Sequence, residues 1–139
     1  MFKKLQFHHI GIATDDIEKS ISLYEVLGYV SQGLRTVIDP IQKVELAFMF
    51  RENHPLIELV SPLNDDSPVK SILNKMRTTP YHTCYEVPII EETIKDLKKQ
   101  RFILIQKPTP AIAFNNRKIA FLFHKNSGLI ELLEKQIHE

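Results

Sequence analysis

The chain has 139 residues, enough for one compact domain or for two small halves that share a core. It is 43% hydrophobic and 25% charged, as ordinary soluble globular proteins are, and its net charge of +1 provides no global field for nucleic acid or an anionic membrane. The single Cys84 excludes an internal disulfide, and His8 and His9 interrupt any apolar run after Lys3 and Lys4, so neither a signal peptide nor a membrane span is expected. A cytoplasmic enzyme or binding protein is the expectation.

Phe7 to Ala13 reads as a strand that alternates His9, Gly11 and Ala13 on one face with His8, Ile10 and Ile12 on the other. Asp15 is expected to cap a helix, with Glu18 completing a capping box, Ile17, Ile21, Tyr24 and Leu27 at helical spacing, and Gly28 as the stop. A strand near Tyr29 to Gly33, a buried strand from Val44 to Phe50, a turn at Asn53-His54-Pro55 and a strand from Leu56 to Val60 follow. Residues 61–80 form a connector in which Ser67 caps a short helix, with Pro68 at its first position and Val69, Ile72, Leu73 and Met76 on its apolar side. From Tyr81 the order repeats. A strand carries His82, Cys84 and Glu86 on one face, and a helix carries Ile90, Ile94 and Leu97. Strands over 101–106, 119–123 and 129–133 come next, with 107–117 as a loop and 134–139 as a frayed tail.

The second half repeats the first. Leu56-Ile57-Glu58-Leu59 returns as Leu129-Ile130-Glu131-Leu132, 73 residues on, and the same spacing relates His9 to His82. At that one offset Val44 to Leu59 falls on Arg117 to Leu132 without a gap, with Ala47/Ala120, Phe48/Phe121, Phe50/Phe123 and Asn53/Asn126 identical. Two copies of one supersecondary unit explain such a register. Module one covers about 5–60, the connector 61–80 and module two about 81–134, within one domain of 1–139.

Each copy contributes one His from its first strand and one Glu from its last. If the halves pair about a pseudo-twofold axis, His9, Glu58, His82 and Glu131 converge on it. Two imidazoles and two carboxylates suit a borderline divalent metal such as Zn, Ni, Co or Mn. A carboxylate inside an apolar LIEL run is costly to bury without a partner, which favours the ligand reading over a solvated hairpin Glu. His8 is expected on the helix side as a structural residue. His54 and His138 fall in a turn and a tail, His124 near the second-copy turn, and Cys84 is assigned to packing.

The run HHIGIATDDIEKSISLYEVLGY resembles the opening of methylmalonyl-CoA epimerases and small bacterial glyoxalase I enzymes of the vicinal oxygen chelate superfamily. PLIELVSPLNDDSPVKSIL, YHTCYEV and NRKIAFLFHKNSGLIELLE resemble their later blocks. The resemblance implies an α+β fold, two paired βαβββ modules forming a cupped eight-stranded mixed sheet, often in homodimers. It implies the metal ligands His9, Glu58, His82 and Glu131, with Glu131, and Glu58 opposite, as the catalytic base. The chemistry it implies moves a proton alpha to a carbonyl through an enediolate held by the metal.

Glyoxalase I-type activity on a glutathione hemithioacetal is the leading expectation, because a His-Glu-His-Glu set is typical of bacterial glyoxalase I. In addition, the second-base Glu that some epimerases carry on the strand near Val44 is Leu46 here, with Glu45 on the other face. Methylmalonyl-CoA epimerisation is the alternative, and a metal-free binding or resistance protein is the third. Arg35, Arg51, Arg117 and Lys118 are candidates to meet a glutathione carboxylate or a coenzyme A phosphate.

Overall fold

The computed structural model describes residues 5–136; Lys3, Lys4, His138 and the tail beyond 136 lie outside the described residues. The chain divides into two compact units, His9–Tyr81 and a second built from His82 onward together with the residues before His9.

The first unit takes most of β1 (Gln6–Ala13), then α1 (Ile17–Val26), β2 (Val30–Ser31), β3 (Val37–Asp39), β4 (Val44–Phe50), β5 (Leu56–Pro62) and α2 (Pro68–Met76). Strand β5 sits between β1, which it pairs in parallel, and β4, which it pairs antiparallel. Both short strands β2 and β3 pair with β4, at Met49–Phe50 and Val44–Leu46 respectively. Alternation sends Ile10, Ile12, Ala47, Met49, Ile57 and Leu59 to one side, where they pack with Ile17 and Ile21 of α1. Burying each of the larger aliphatic side chains there contributes about 1.5–3 kcal/mol.

The second unit runs β6 (Thr79–Val87), α3 (Ile90–Lys99), β7 (Ile103–Ala111), a single 3-10 turn (Ile112–Phe114), β8 (Arg117–His124) and β9 (Gly128–Glu134). Its strand order is β6-β9-β8-β7, with β6 and β9 parallel and the others antiparallel. Val87, Ala120, Leu122, Ile130 and Leu132 pack against Ile90, Ile94 and Leu97 of α3.

The two units realise the repeat in register. Gly11 faces Glu58 across β1/β5 as Cys84 faces Glu131 across β6/β9, and Phe48 faces Glu58 as Phe121 faces Glu131. Each unit is therefore a βαβββ module. Strand β3 was not expected from the sequence; β2 and β3 together line the edge of β4 as β7 lines that of β8. Strand β7 itself carries two register shifts, between Leu104 and Gln106 and between Gln106 and Thr109.

Four local expectations are corrected. Asp16, not Asp15, caps α1, its carboxylate accepting from the Lys19 N–H at 3.0 Å. Helix α1 ends at Val26, so Leu27 is its C-cap and is exposed rather than on the buried face, and Gly28 follows at φ +94°, a conformation open to glycine. The segment 107–111, expected as loop, continues β7; its two prolines are tolerated because β7 is the outermost strand of its unit. Glu134, expected in a frayed tail, ends β9 and accepts the Ile90 N–H at 2.9 Å, capping α3 where Ile89 offers no side-chain acceptor. By contrast Ser67 caps α2 as expected, with Pro68 at its first turn. Among the described residues no helix is long and apolar enough to cross a membrane.

The cap correction is testable by substitution. Asp16→Ala should lower stability by about 1 kcal/mol in urea unfolding. Asp15→Ala, at an exposed position with no such bond, should stay within about 0.5 kcal/mol of the parent.

Candidate functional site

In the first unit His9 and Glu58 form a buried pair. The parallel register sets Gly11 opposite Glu58, so His9, two residues earlier on the same face, is Glu58's diagonal neighbour. His9 Nε2 lies 3.3 Å from Glu58 Oε1, and the side chains are 0% and 4% exposed. Phe48, directly across β4/β5 from Glu58, meets the His9 ring edge to face at 6.0 Å.

The second unit repeats this arrangement. His82 Nε2 lies 3.2 Å from Glu131 Oε1, with the side chains 1% and 3% exposed, and Phe121 meets the His82 ring at 5.4 Å. Fully buried Cys84 sits across the ladder from Glu131. A carboxylate this deep is tolerable only when partnered, and each is provided for within its own module. Each module thus offers one buried imidazole and one buried carboxylate, donors of the kind that a borderline divalent metal takes. The aromatic partners Phe48 and Phe121 had no role in the sequence reading, although their identity at the repeat spacing marked them.

His8 corrects an expectation. Strand β1 serves two cores in succession: Leu5 packs on the α3 core, Phe7 stacks edge-on with Tyr85 beside it, and Ile10 belongs to the α1 core. The odd residues are engaged before the histidine pair and the even ones after it. His8 consequently turns away from the α3 core and meets Phe114 at 5.6 Å. His124 packs on Phe102 at 5.1 Å, and its Nδ1 accepts the Asn126 N–H, closing the β8–β9 turn. His54 does the same kind of work in its own turn, bonding the Glu52 carbonyl at 2.8 Å.

The four cations proposed for the thiol carrier all have partners within the chain. Arg35 grips exposed Glu18 at 2.7 Å, and that bond pushes its guanidinium further up from its usual pKa. Arg51 donates to the Leu27 carbonyl at 2.8 Å. Lys118 bonds Glu91 at 2.6 Å, which holds the ammonium above and the carboxyl below their ordinary ranges. Arg117 is the most enclosed: it donates to Glu86 at 2.8 Å and to the Phe114 and Glu134 carbonyls, with its guanidinium over the Phe114 ring.

A family model described as the glyoxalase/bleomycin resistance protein/dioxygenase superfamily matches residues 8–121. The chain belongs to this superfamily. It is 33% identical over 138 residues to the mitochondrial methylmalonyl-CoA epimerase of Dictyostelium discoideum, covering 94% of this chain and 78% of that protein. Hypothetical protein BH1468 from Bacillus halodurans superposes with a TM-score of 0.83 at 30% identity, over 99% of both chains. A variant of the Streptomyces coelicolor methylmalonyl-CoA epimerase, solved with 2-nitronate-propionyl-CoA, superposes at 0.81 over 96% of both chains; at 21% identity that likeness shows the fold alone. The expected α+β vicinal oxygen chelate fold is thus borne out. The chain is an enzyme of that superfamily, with an activity of the isomerase type. The relatives favour the epimerase alternative over the glyoxalase reading that led from the sequence.

The two best-held arginines should differ in cost. Arg117→Met leaves half-buried Glu86 without its cation and should cost about 1–3 kcal/mol. Arg35→Ala breaks a solvent-exposed bridge and should cost less than about 1 kcal/mol in the same urea titration.

Proposed function

We propose that this chain epimerises methylmalonyl-CoA or a closely similar 2-substituted acyl-CoA thioester. The observation that carries the reading is a likeness to methylmalonyl-CoA epimerases over more than nine-tenths of this chain, combined with a buried His–Glu pair in each module. The proposal includes one divalent metal shared by His9, Glu58, His82 and Glu131, a homodimer and a cytoplasmic setting. The donor chemistry fits: two imidazole nitrogens and two carboxylates suit Zn, Ni, Co or Mn. Such an ion, when bound, supplies Lewis acidity that steadies negative charge on a substrate carbonyl oxygen.

The rest of the chemistry belongs to the chain's own side chains. The Glu131 carboxylate takes the proton from the carbon alpha to the thioester, and Glu58, entering the cycle as its neutral acid, gives its proton to that carbon from the opposite face, which leaves Glu131 protonated and Glu58 ionised until solvent exchange resets them. His82 and His9 hold these carboxylates at 3.2 and 3.3 Å and fix the direction in which each oxygen points. No carboxylate of β4 can take part: Leu46 is on the Glu58 face by register, whereas Glu45, opposite Ser61, is on the other. Both proton transfers are therefore assigned to the two repeat-related glutamates.

Leu46 also favours a second reading, hemithioacetal isomerisation of the glyoxalase I type, in which one carboxylate suffices. A binding or resistance role fits less well, because the buried His–Glu set is intact in both modules.

Two measurements test the proposal. Solvent deuterium should enter the alpha carbon of methylmalonyl-CoA in the presence of the metal-loaded protein, and Glu131→Gln should slow this by at least about a hundredfold. Hemithioacetal turnover without that exchange would replace the epimerase reading with the glyoxalase one. In the second, His82→Ala should abolish metal uptake and the rise in melting temperature that metal gives the parent. Full metal occupancy in a His9→Ala, His82→Ala double variant would overturn the ligand assignment.

A further inference from the structure

In both modules the same side chain touches the His–Glu pair and has been given no part in the chemistry. Phe48 stands directly across the ladder from Glu58, and Phe121 directly across from Glu131. Their rings meet the paired imidazoles nearly at right angles, 78° for His9 and 86° for His82. The two phenylalanines occupy equivalent positions 73 residues apart, and in each case the adjoining His and Glu are buried while the Phe is only half-buried. A leucine would fill much of the same space. It would not present a flat, rigid ring to an imidazole, whose own two faces and edges differ in charge.

We propose that Phe48 and Phe121 are positioning residues that set the ring planes of His9 and His82, so that each Nε2 is aimed at its carboxylate and at a metal held there. The metal part of this rests on the function proposed above; the ring-setting part rests on the two His–Phe contacts alone. An imidazole turns about its last side-chain bond over a broad, shallow range, so a group that meets the ring helps decide its plane. A perpendicular phenyl ring narrows that range from the side, and the half-exposed phenyl also keeps water off the pair. Groups that orient a metal-binding His without touching the metal affect affinity by about 10–100-fold when removed. An apolar contact belongs at the lower end of that range.

The test compares Phe48→Leu and Phe121→Leu with Phe48→Tyr and Phe121→Tyr, all as full-length protein. Zinc affinity is measured by competition with a chromophoric chelator, and the Co(II)-loaded proteins are examined for their visible absorption. In the metal-free proteins the orientation of the His9 and His82 rings is followed by NMR through NOEs between the imidazole protons and the neighbouring backbone, which a lost phenyl ring current does not alter. Each Leu variant should bind zinc about tenfold more weakly. It should also change the Co(II) spectrum and the ring-to-backbone NOEs of the adjoining histidine only. Each Tyr variant should restore all three, and the melting temperatures of the metal-free proteins should not follow this pattern. Leu variants with parental affinity and parental ring-to-backbone NOEs would overturn the proposal. So would losses that track melting temperature with no rescue by Tyr, which would make the rings mere packing. If the parent binds no metal, the shared-metal reading fails, and unchanged ring-to-backbone NOEs in the Leu variants would then overturn the positioning role separately.

Discussion

A carboxylate inside an apolar strand has to be provided for, and this constraint organises both modules. Glu58 and Glu131 sit within LIEL runs, where the flanking residues build a helix-packed core on one side of the sheet. The other side must then supply a polar partner close by, since solvent cannot. Parallel pairing of the first and last strands does this, because it sets a histidine diagonally beside each glutamate. The crossover helices α1 and α3 follow from the same choice: strands paired in parallel cannot be joined by a tight turn.

Much of this was legible in the sequence because it is periodic. The offset of 73 residues, the alternation along β1 and β6, and the helical spacing of Ile90, Ile94 and Leu97 each report a regular geometry. The features that escaped are the ones with no period. Strand β3 is three residues long and is defined by what it pairs with, β4, rather than by its own pattern. The capping role of Glu134 depends on a contact 44 residues away in sequence. Asp15 and Asp16 are both good caps by composition, and only the chain path chooses between them. His8 was misassigned because alternation was extended through a strand that changes cores midway.

The substrate preference is where the relatives redirect the sequence reading, from glyoxalase I towards epimerase. Glyoxalase I and acyl-CoA epimerase chemistry ask the same of a donor set: a carboxylate base beside a Lewis acid. Ligand identity therefore separates them poorly, and the residue at position 46 adds only one further position to that comparison. Likeness to epimerases over more than nine-tenths of this chain carries more information than one position. In the proposed function the second proton transfer falls to the other repeat-related glutamate.

Strand β7 has a bearing on how the protein behaves at high concentration. It is the outermost strand of its unit, and it exposes Ile103 and Ile105, a composition that invites another chain to add itself as a neighbouring strand. Pro108 and Pro110 remove two amide donors from the same strand, and its register shifts interrupt the straight run of hydrogen-bonding groups an incoming strand would need. Irregularity that made the segment look like a loop thus guards the sheet against open-ended, fibre-like growth.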